Sequence, residues 1–150
     1  MLFRSVSRPH AVNTPAHREA ALRLVTGTTG RRHQDANLEV KPVDLAANPH
    51  LALGCLLAAG LDGLAAGLRL PEEITGDPAR YGADEAAALG VRRLPASLPE
   101  AVREFRGDEV LRSALGPVLA DAVSAVRLGE AAAVEGLDDA QVAAAYRWTY

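Results

Sequence analysis

A carboxylate and an ammonium group stand two residues apart in the run Asn37-Leu38-Glu39-Val40-Lys41. Alternate residues of a strand point to one face, so a short strand here would turn Glu39 and Lys41 into one site and leave Leu38 and Val40 to a core. Such a pair suits a hard divalent cation beside an anionic substrate. Upstream lie two guanidinium groups, Arg18 and Arg23. A planar guanidinium donates two parallel charge-assisted hydrogen bonds, which is the geometry of phosphate recognition. Their odd spacing puts them on opposite faces of a regular strand, so both serve one site only where the chain bends or where Arg18 precedes the strand. Each residue taken singly also has a plainer reading, as an exposed strand carboxylate or a surface arginine. One glutamate is not a metal site, and no His-x-x-x-His, cysteine pair or glycine-rich phosphate loop accompanies it. Gly27-Thr28-Thr29-Gly30 lacks the lysine of a phosphate loop and reads as a turn, and His10, His17, His33 and His50 have no metal-ligand spacing.

The elements that must position these groups are a pair of strands and a set of helices. Arg18 to Val25 is short and apolar enough to be helix or strand, whereas Ala36 to Pro42 reads as strand; together they suggest an antiparallel pair with a long connection. Asn48 is an N-cap and Pro49 a first helical residue, opening a helix to about Ala66. Its leucines, Leu51, Leu53, Leu56, Leu57, Leu61 and Leu64, are spread over several faces, so it needs protein on most sides. Pro71 to Gly82 reads as loop. Ser97 and Glu100 form a capping-box pattern for a helix to about Arg106, Asp108 caps a segment to Leu115, and Gly116-Pro117 restarts a helix to about Val134. The expected core stripe of that last helix is Val118, Leu119, Ala122, Val126 and Ala133, with Asp121, Arg127 and Glu130 on other faces. Asp138 or Asp139 caps a final helix ending near Trp148. The expectation is an α+β chain, two N-terminal strands followed by mostly helices, with residues 1–15 set apart as a leader lacking either periodicity.

Length and composition narrow the classes. One hundred and fifty residues, 49 % of them hydrophobic, suffice for one domain with a core. A net charge of −3 with both signs interspersed argues against a nucleic-acid partner, and Arg31-Arg32-His33 reads as a solvated loop. The apolar stretch from Leu51 to Leu68 carries Asp62 and four glycines, so no membrane span is expected. Cys55 is the one cysteine; it excludes an internal disulfide, fits a reducing compartment, and its apolar setting reads as packing. Cytoplasm is the expected location.

Several ordered runs resemble the C-terminal third of the glutamine synthetase catalytic domain, and look closest to its actinobacterial, FluG-like branch. These are Arg18-Glu19-Ala20-Ala21-Leu22-Arg23, Asn37 to Lys41, Ala47-Asn48-Pro49-His50-Leu51-Ala52, Ala58 to Gly63, and the closing Arg147-Trp148-Thr149-Tyr150. The resemblance covers residues 16–150 and implies part of a catalytic barrel. It implies ATP-dependent joining of ammonia or an amine to a γ-carboxylate through an acyl phosphate, with Mg²⁺ or Mn²⁺. By residue it places Arg18 and Arg23 on the ATP phosphates, Glu39 on a metal, and Lys41 on the carboxylate of a small-molecule substrate. It also implies a homo-oligomeric ring in the full-length protein.

Three departures qualify what the resemblance implies. His17 stands where the family usually has asparagine. Lys41 stands where glutamine-forming members carry arginine, and lysine cannot make the bidentate fork, which opens the carboxylate or the amine to variation. Tyr81 lies near a region adenylylated in some members, in surroundings that do not match. The upstream barrel strands with most metal ligands have no counterpart, so the 150-residue chain is expected to be inactive alone. The opening Met1-Leu2-Phe3-Arg4-Ser5 is what a translated sequencing-adapter end would give, and a truncated gene is the expectation that follows. The alternative is a non-catalytic helical module that binds or regulates an intact ligase.

Overall fold

A computed structural model describes residues 10–11, 21–25, 27, 29–44, 47–69 and 80–149. In chain order the elements are β1 (His10–Ala11), β2 (Leu22–Val25), α1 (Arg32–Asp35), β3 (Asn37–Val40), α2 (Pro49–Ala65), α3 (Ala83–Ala88), β4 (Arg92–Arg93), α4 (Leu98–Gly107), α5 (Glu109–Leu115), α6 (Pro117–Ala133) and α7 (Asp139–Tyr146). They fall into two compact units, Met1–Asp44 with Leu68–Leu94, and Leu45–Gly67 with Pro95–Tyr150.

The first unit holds all the strands found among the described residues. β2 and β3 pair antiparallel, as the two apolar runs suggest, and β1 pairs antiparallel with β4. β1 falls inside the stretch set apart as a leader, and neither β4 nor α3 stands out in the sequence because each is too short to establish a period. A small apolar cluster forms where Tyr81 and Ala86 pack on the buried Val91. The backbone draws it together through the Val91 N–H, which donates to the Ala86 carbonyl at 2.8 Å, after a turn at Gly90 with φ of 70°. Tyr81, half-buried here, is thus a packing residue. Most of the expected loop at 71–82 lies outside the described residues.

Five described helices make the second unit, and side-chain caps open four of them, α2, α4, α5 and α7. Asn48 accepts from the His50 and Leu51 N–H groups, and Pro49 takes the first helical position of α2. Ser97 accepts from the Glu100 N–H at 3.3 Å, but the Glu100 carboxylate reaches the Ala96 N–H at 2.8 Å, so the expected box on α4 is not reciprocal. On α7 it is: Asp138 accepts from the Gln141 N–H and Gln141 accepts from the Asp138 N–H. Gly116, at φ of 75°, ends α5 and begins α6, a conformation that a side chain resists.

α4 packs on α6, α2 on α5, and α5 on both α4 and α6. The buried residues at the centre are small: Val102, Ala120, Ser124 and Val142. This corrects the stripe expected on α6, whose members Val118, Leu119, Ala122, Val126 and Ala133 are all exposed, Val118 by 84 %. α6 is apolar on more than one side, so periodicity does not choose its inner face. Close approach does. Ala120 and Ser124, one turn apart, let a neighbouring backbone come near, and the Ser124 hydroxyl is satisfied by the Ala120 carbonyl at 2.8 Å. Arg127 and Glu130, expected on faces other than that stripe, are half-buried and pair at 2.6 Å.

Candidate functional site

The β2–β3 hairpin carries the chemistry. Its register sets Leu22 against Val40, Arg23 against Glu39, Leu24 against Leu38 and Val25 against Asn37. Residues directly opposite in an antiparallel pair project to the same face, with side chains close enough to interact. Arg23 and Glu39 do so as a fork: Nε donates to Oε2 at 2.9 Å and Nη2 to Oε1 at 2.6 Å. This hydrogen bonding raises the guanidinium's already high pKa, outweighing the lowering effect of burial, with the charge of Glu39 adding to the rise. The side chains are 19 % and 38 % exposed, so both keep some contact with solvent.

Local sequence explains why the strands meet in this register. Gly27 has φ of 82°, and a Cβ there would come within 3.0 Å of the Arg32 Cα and 3.1 Å of the Ala36 nitrogen, so a side chain would force the connection open. α1 then fills the connection, where the sequence suggested only loop, and Arg31 pairs with Asp35 at 3.7 Å across one turn. Asn37 closes it by donating its side-chain amide to the Asp35 carbonyl at 3.0 Å. The ladder continues past β3, with the Lys41 N–H donating to the Ala21 carbonyl at 2.9 Å.

Two of the four residues singled out in the sequence are therefore brought together, Arg23 and Glu39. Lys41 follows β3 directly and is exposed. Arg18, like His17, lies outside the described residues. Leu38 does not reach a core as the alternation suggested: it is 60 % exposed, and Val40 is half-buried, because a two-stranded ribbon has little area with which to shield either face. The Arg23–Glu39 partnership was not foreseen, although the signal was present. Both strands place one charge between apolar neighbours, and aligning Leu22-Arg23-Leu24 with Leu38-Glu39-Val40 pairs the two.

Divalent metal fits the described residues poorly. A Mg²⁺ ion takes several hard oxygen ligands in near-octahedral geometry. Here no group of three or more His, Cys, Asp or Glu side chains converges among the described residues, and both oxygens of Glu39 already accept from a guanidinium. The two strands with Lys41 supply one carboxylate, two cations and no complete ligand set. No helix among the described residues is long and apolar enough to cross a membrane.

Comparison with known proteins places this hairpin in a family. Residues 11–143 match the glutamine synthetase catalytic domain. The chain belongs to the glutamine synthetase family. A γ-glutamylpolyamine synthetase of Streptomyces coelicolor is 73 % identical over 133 residues, which cover 89 % of this chain and 28 % of that protein. A glutamine synthetase of Staphylococcus aureus is 39 % identical over 85 residues, 57 % of this chain and 19 % of that enzyme. The crystal structure of a glutamine synthase homolog superposes with a TM-score of 0.72 at 29 % identity, covering 94 % of this chain and 30 % of that one. The chain thus spans less than a third of the length of these glutamine synthetase relatives. Its fold is that of a C-terminal portion of the glutamine synthetase catalytic domain, two antiparallel strands followed by mostly helices.

Proposed function

We propose that this chain is one part of an ATP-dependent carboxylate–amine ligase, which activates a γ-carboxylate as an acyl phosphate and passes the acyl group to ammonia or an amine. The observation that carries this reading is the Arg23–Glu39 pair at the centre of the hairpin, with Lys41 one ladder step beyond, inside a segment matching the glutamine synthetase catalytic domain. Phosphoryl transfer depends on positioning and on neutralising charge, and these are the residue types for both. Arg18 and Arg23 are assigned to the ATP phosphates, Lys41 to the substrate carboxylate, and Glu39 to one ligand position of a Mg²⁺ or Mn²⁺ ion. When bound, such an ion neutralises phosphate charge, and its other ligands come from outside the described residues. The similarity to a γ-glutamylpolyamine synthetase, together with lysine rather than arginine at position 41, favours a polyamine over ammonia as the acceptor. The setting is the cytoplasm, in a homo-oligomeric ring formed by the whole ligase.

In isolation the chain has no turnover, because one carboxylate does not hold the metal. The test has two arms. Phosphate release is measured with ATP, Mg²⁺ and glutamate plus ammonia, putrescine or spermidine, first with the 150-residue chain and then with a full-length Streptomyces relative carrying this segment in place of its own. The chain alone should be silent and the chimera active with polyamines. Activity of the isolated chain, or a chimera that folds and assembles yet releases no phosphate with any amine, would sink the proposal.

A second reading rests on α2, where Leu53, Leu57, Leu61 and Leu64 are between 57 % and 80 % exposed. A patch of that kind suits a helical module that binds an intact ligase without catalysing. Tight association with a purified relative that leaves the chimera inactive would favour it.

A further inference from the structure

One side of α2 is apolar, uncharged and open. The helix packs on α5, and Leu51, Cys55 and Ala58 on one side of it are half-buried. On the other side Leu53, Leu57, Leu61 and Leu64 are between 57 % and 80 % exposed. At about 100° per residue, these positions gather within roughly 80° of the helix surface. Gly60 lies between Leu57 and Leu64 on that face, and a Cβ added there would meet nothing within 4 Å, so the row of leucines has a notch in it. Asp62 falls on the side opposite Leu53 and Leu64, and α2 contains neither lysine nor arginine. A lipid surface is a poor match, since helices that lie on membranes carry a basic polar side. An uncharged leucine face has instead the character of a domain core cut in half, as obligate protein interfaces do.

The share of the ligase that this chain represents says what covers the face. The chain matches a C-terminal portion of the glutamine synthetase catalytic domain and spans 28 % of its Streptomyces coelicolor relative, so most of that protein lies outside the match. We propose that the Leu53, Leu57, Leu61 and Leu64 face of α2 is the seat of the upstream polypeptide of the same ligase, and that it anchors this portion to that polypeptide as a separate chain, with no peptide bond between them. This rests on the reading of the chain as one part of a ligase. The occupant is an apolar protein surface, with a side chain entering the notch at Gly60. A second copy of the chain fits less well. An isologous contact along α2 would set one short row of leucines against itself, which is small beside the about 800 Å² per partner of a stable interface. The upstream polypeptide of the ligase has the length to flank α2 as well as to cover it.

The experiment uses the full-length Streptomyces relative carrying this segment in place of its own, with a protease site at the junction so that the segment is cut free after folding. Size-exclusion chromatography reads how much of the segment stays with the rest, and phosphate release with ATP, Mg²⁺, glutamate and spermidine is measured separately. The cut chimera should hold its segment. Leu57→Gln combined with Leu64→Gln should weaken that hold about tenfold or more, as loss of buried anchors does. Both leucines are more than half exposed in the isolated chain, so the same double substitution should leave its circular dichroism unchanged. Val118→Gln, at a site 84 % exposed on α6, should alter neither the hold nor the spectrum. Separation of the cut unsubstituted chimera overturns the proposal. Equal retention with and without the two leucines also overturns it, and a dimer of the isolated chain that the double substitution breaks would then make a second copy the occupant. A loss with Val118→Gln as large as with the two leucines overturns α2 as the seat. A chimera that holds its segment through the leucines yet releases no phosphate, cut or uncut, refutes the ligase activity while supporting the docking face.

Discussion

Leu64 gives the sharpest test of whether α2 has its full set of neighbours in this chain. The residue is 80 % exposed, so about a fifth of its surface is withdrawn from water. Complete burial of a leucine side chain is worth about 2 kcal/mol, so Leu64→Ala should cost about 0.4 kcal/mol here, part of which alanine's higher helix propensity returns. In a full-length ligase whose remaining polypeptide covers α2, the same truncation would leave a cavity and cost about 2 to 5 kcal/mol. For a domain of this size about 0.4 kcal/mol shifts the melting temperature by only ~1 to 2 °C, and in the much longer chimera, whose unfolding entropy is larger, a loss of about 2 kcal/mol shifts it by roughly 2 °C or more. Urea unfolding of the isolated chain and thermal unfolding of the full-length chimera, each with and without Leu64→Ala, measure the two numbers. A small cost in both contexts refutes the idea that α2 is a core helix of the complete enzyme. A cost of about 2 kcal/mol in the isolated chain refutes the exposure from which the estimate starts.

Three further outcomes are expected of the second unit. Asp138→Ala removes the acceptor that takes the Gln141 N–H at 2.8 Å and should destabilise α7 by about 1 kcal/mol, seen as faster hydrogen exchange confined to Asp139–Tyr146, with Asp138→Asn largely sparing it. Val102→Ala empties a site only 5 % exposed in α4, which packs on α6, and should cost about 2 kcal/mol in urea unfolding, far more than Val118→Ala at 84 % exposure. The Cys55 thiol has its pKa raised first by burial and then by the charge of Asp108, so its alkylation at pH 8 should be slower than that of the urea-unfolded chain. Asp108→Asn keeps a cap for α5 but removes that charge, and should speed the reaction. Because the folded thiol holds its proton more tightly than the unfolded one, Cys55's contribution to stability is intact below the unfolded pKa. It falls as pH rises towards the folded value, so Cys55→Ser should flatten stability on the alkaline side only.

Elements that announce themselves through a single residue type at a fixed place were legible in the sequence. Asn48 with Pro49, Asp108 and Asp138 each mark a helix start that the structure keeps within a residue or two, because a cap is a local hydrogen bond needing no tertiary information, and Gly116 with Pro117 does so by backbone conformation alone. The β2–β3 pair was legible for the same reason, from two short apolar runs around a glycine-bearing turn. The inner face of α6 was not. Val118 and Val126 are more hydrophobic than Ala120 and Ser124, yet the smaller pair is inside, since the spacing between packed helices is decided by the shortest side chains rather than the greasiest. In the site, residue types pointed to Arg23 and Glu39 singly, whereas their mutual fork is a property of register, which no one strand encodes.

The uncovered leucines of α2 and the closed Arg23–Glu39 fork share a physical cause in the reading proposed here. A segment spanning 28 % of its Streptomyces relative keeps groups shaped for neighbours that the segment itself does not provide. Charged groups can answer that lack locally, because a guanidinium and a carboxylate on facing strands neutralise each other wherever the register brings them together. Apolar groups cannot, because Leu53, Leu57 and Leu64 lie on the side of α2 away from half-buried Leu51, Cys55 and Ala58, and a straight helix does not fold back on its own outer face. Supplying the missing polypeptide should therefore change the two features in opposite senses: the leucines become buried and the ion pair opens. A chimera in which Leu64 becomes protected while Arg23 and Glu39 stay locked together in the presence of ATP and Mg²⁺ would separate the two features and return the pair to the role of a hairpin clasp.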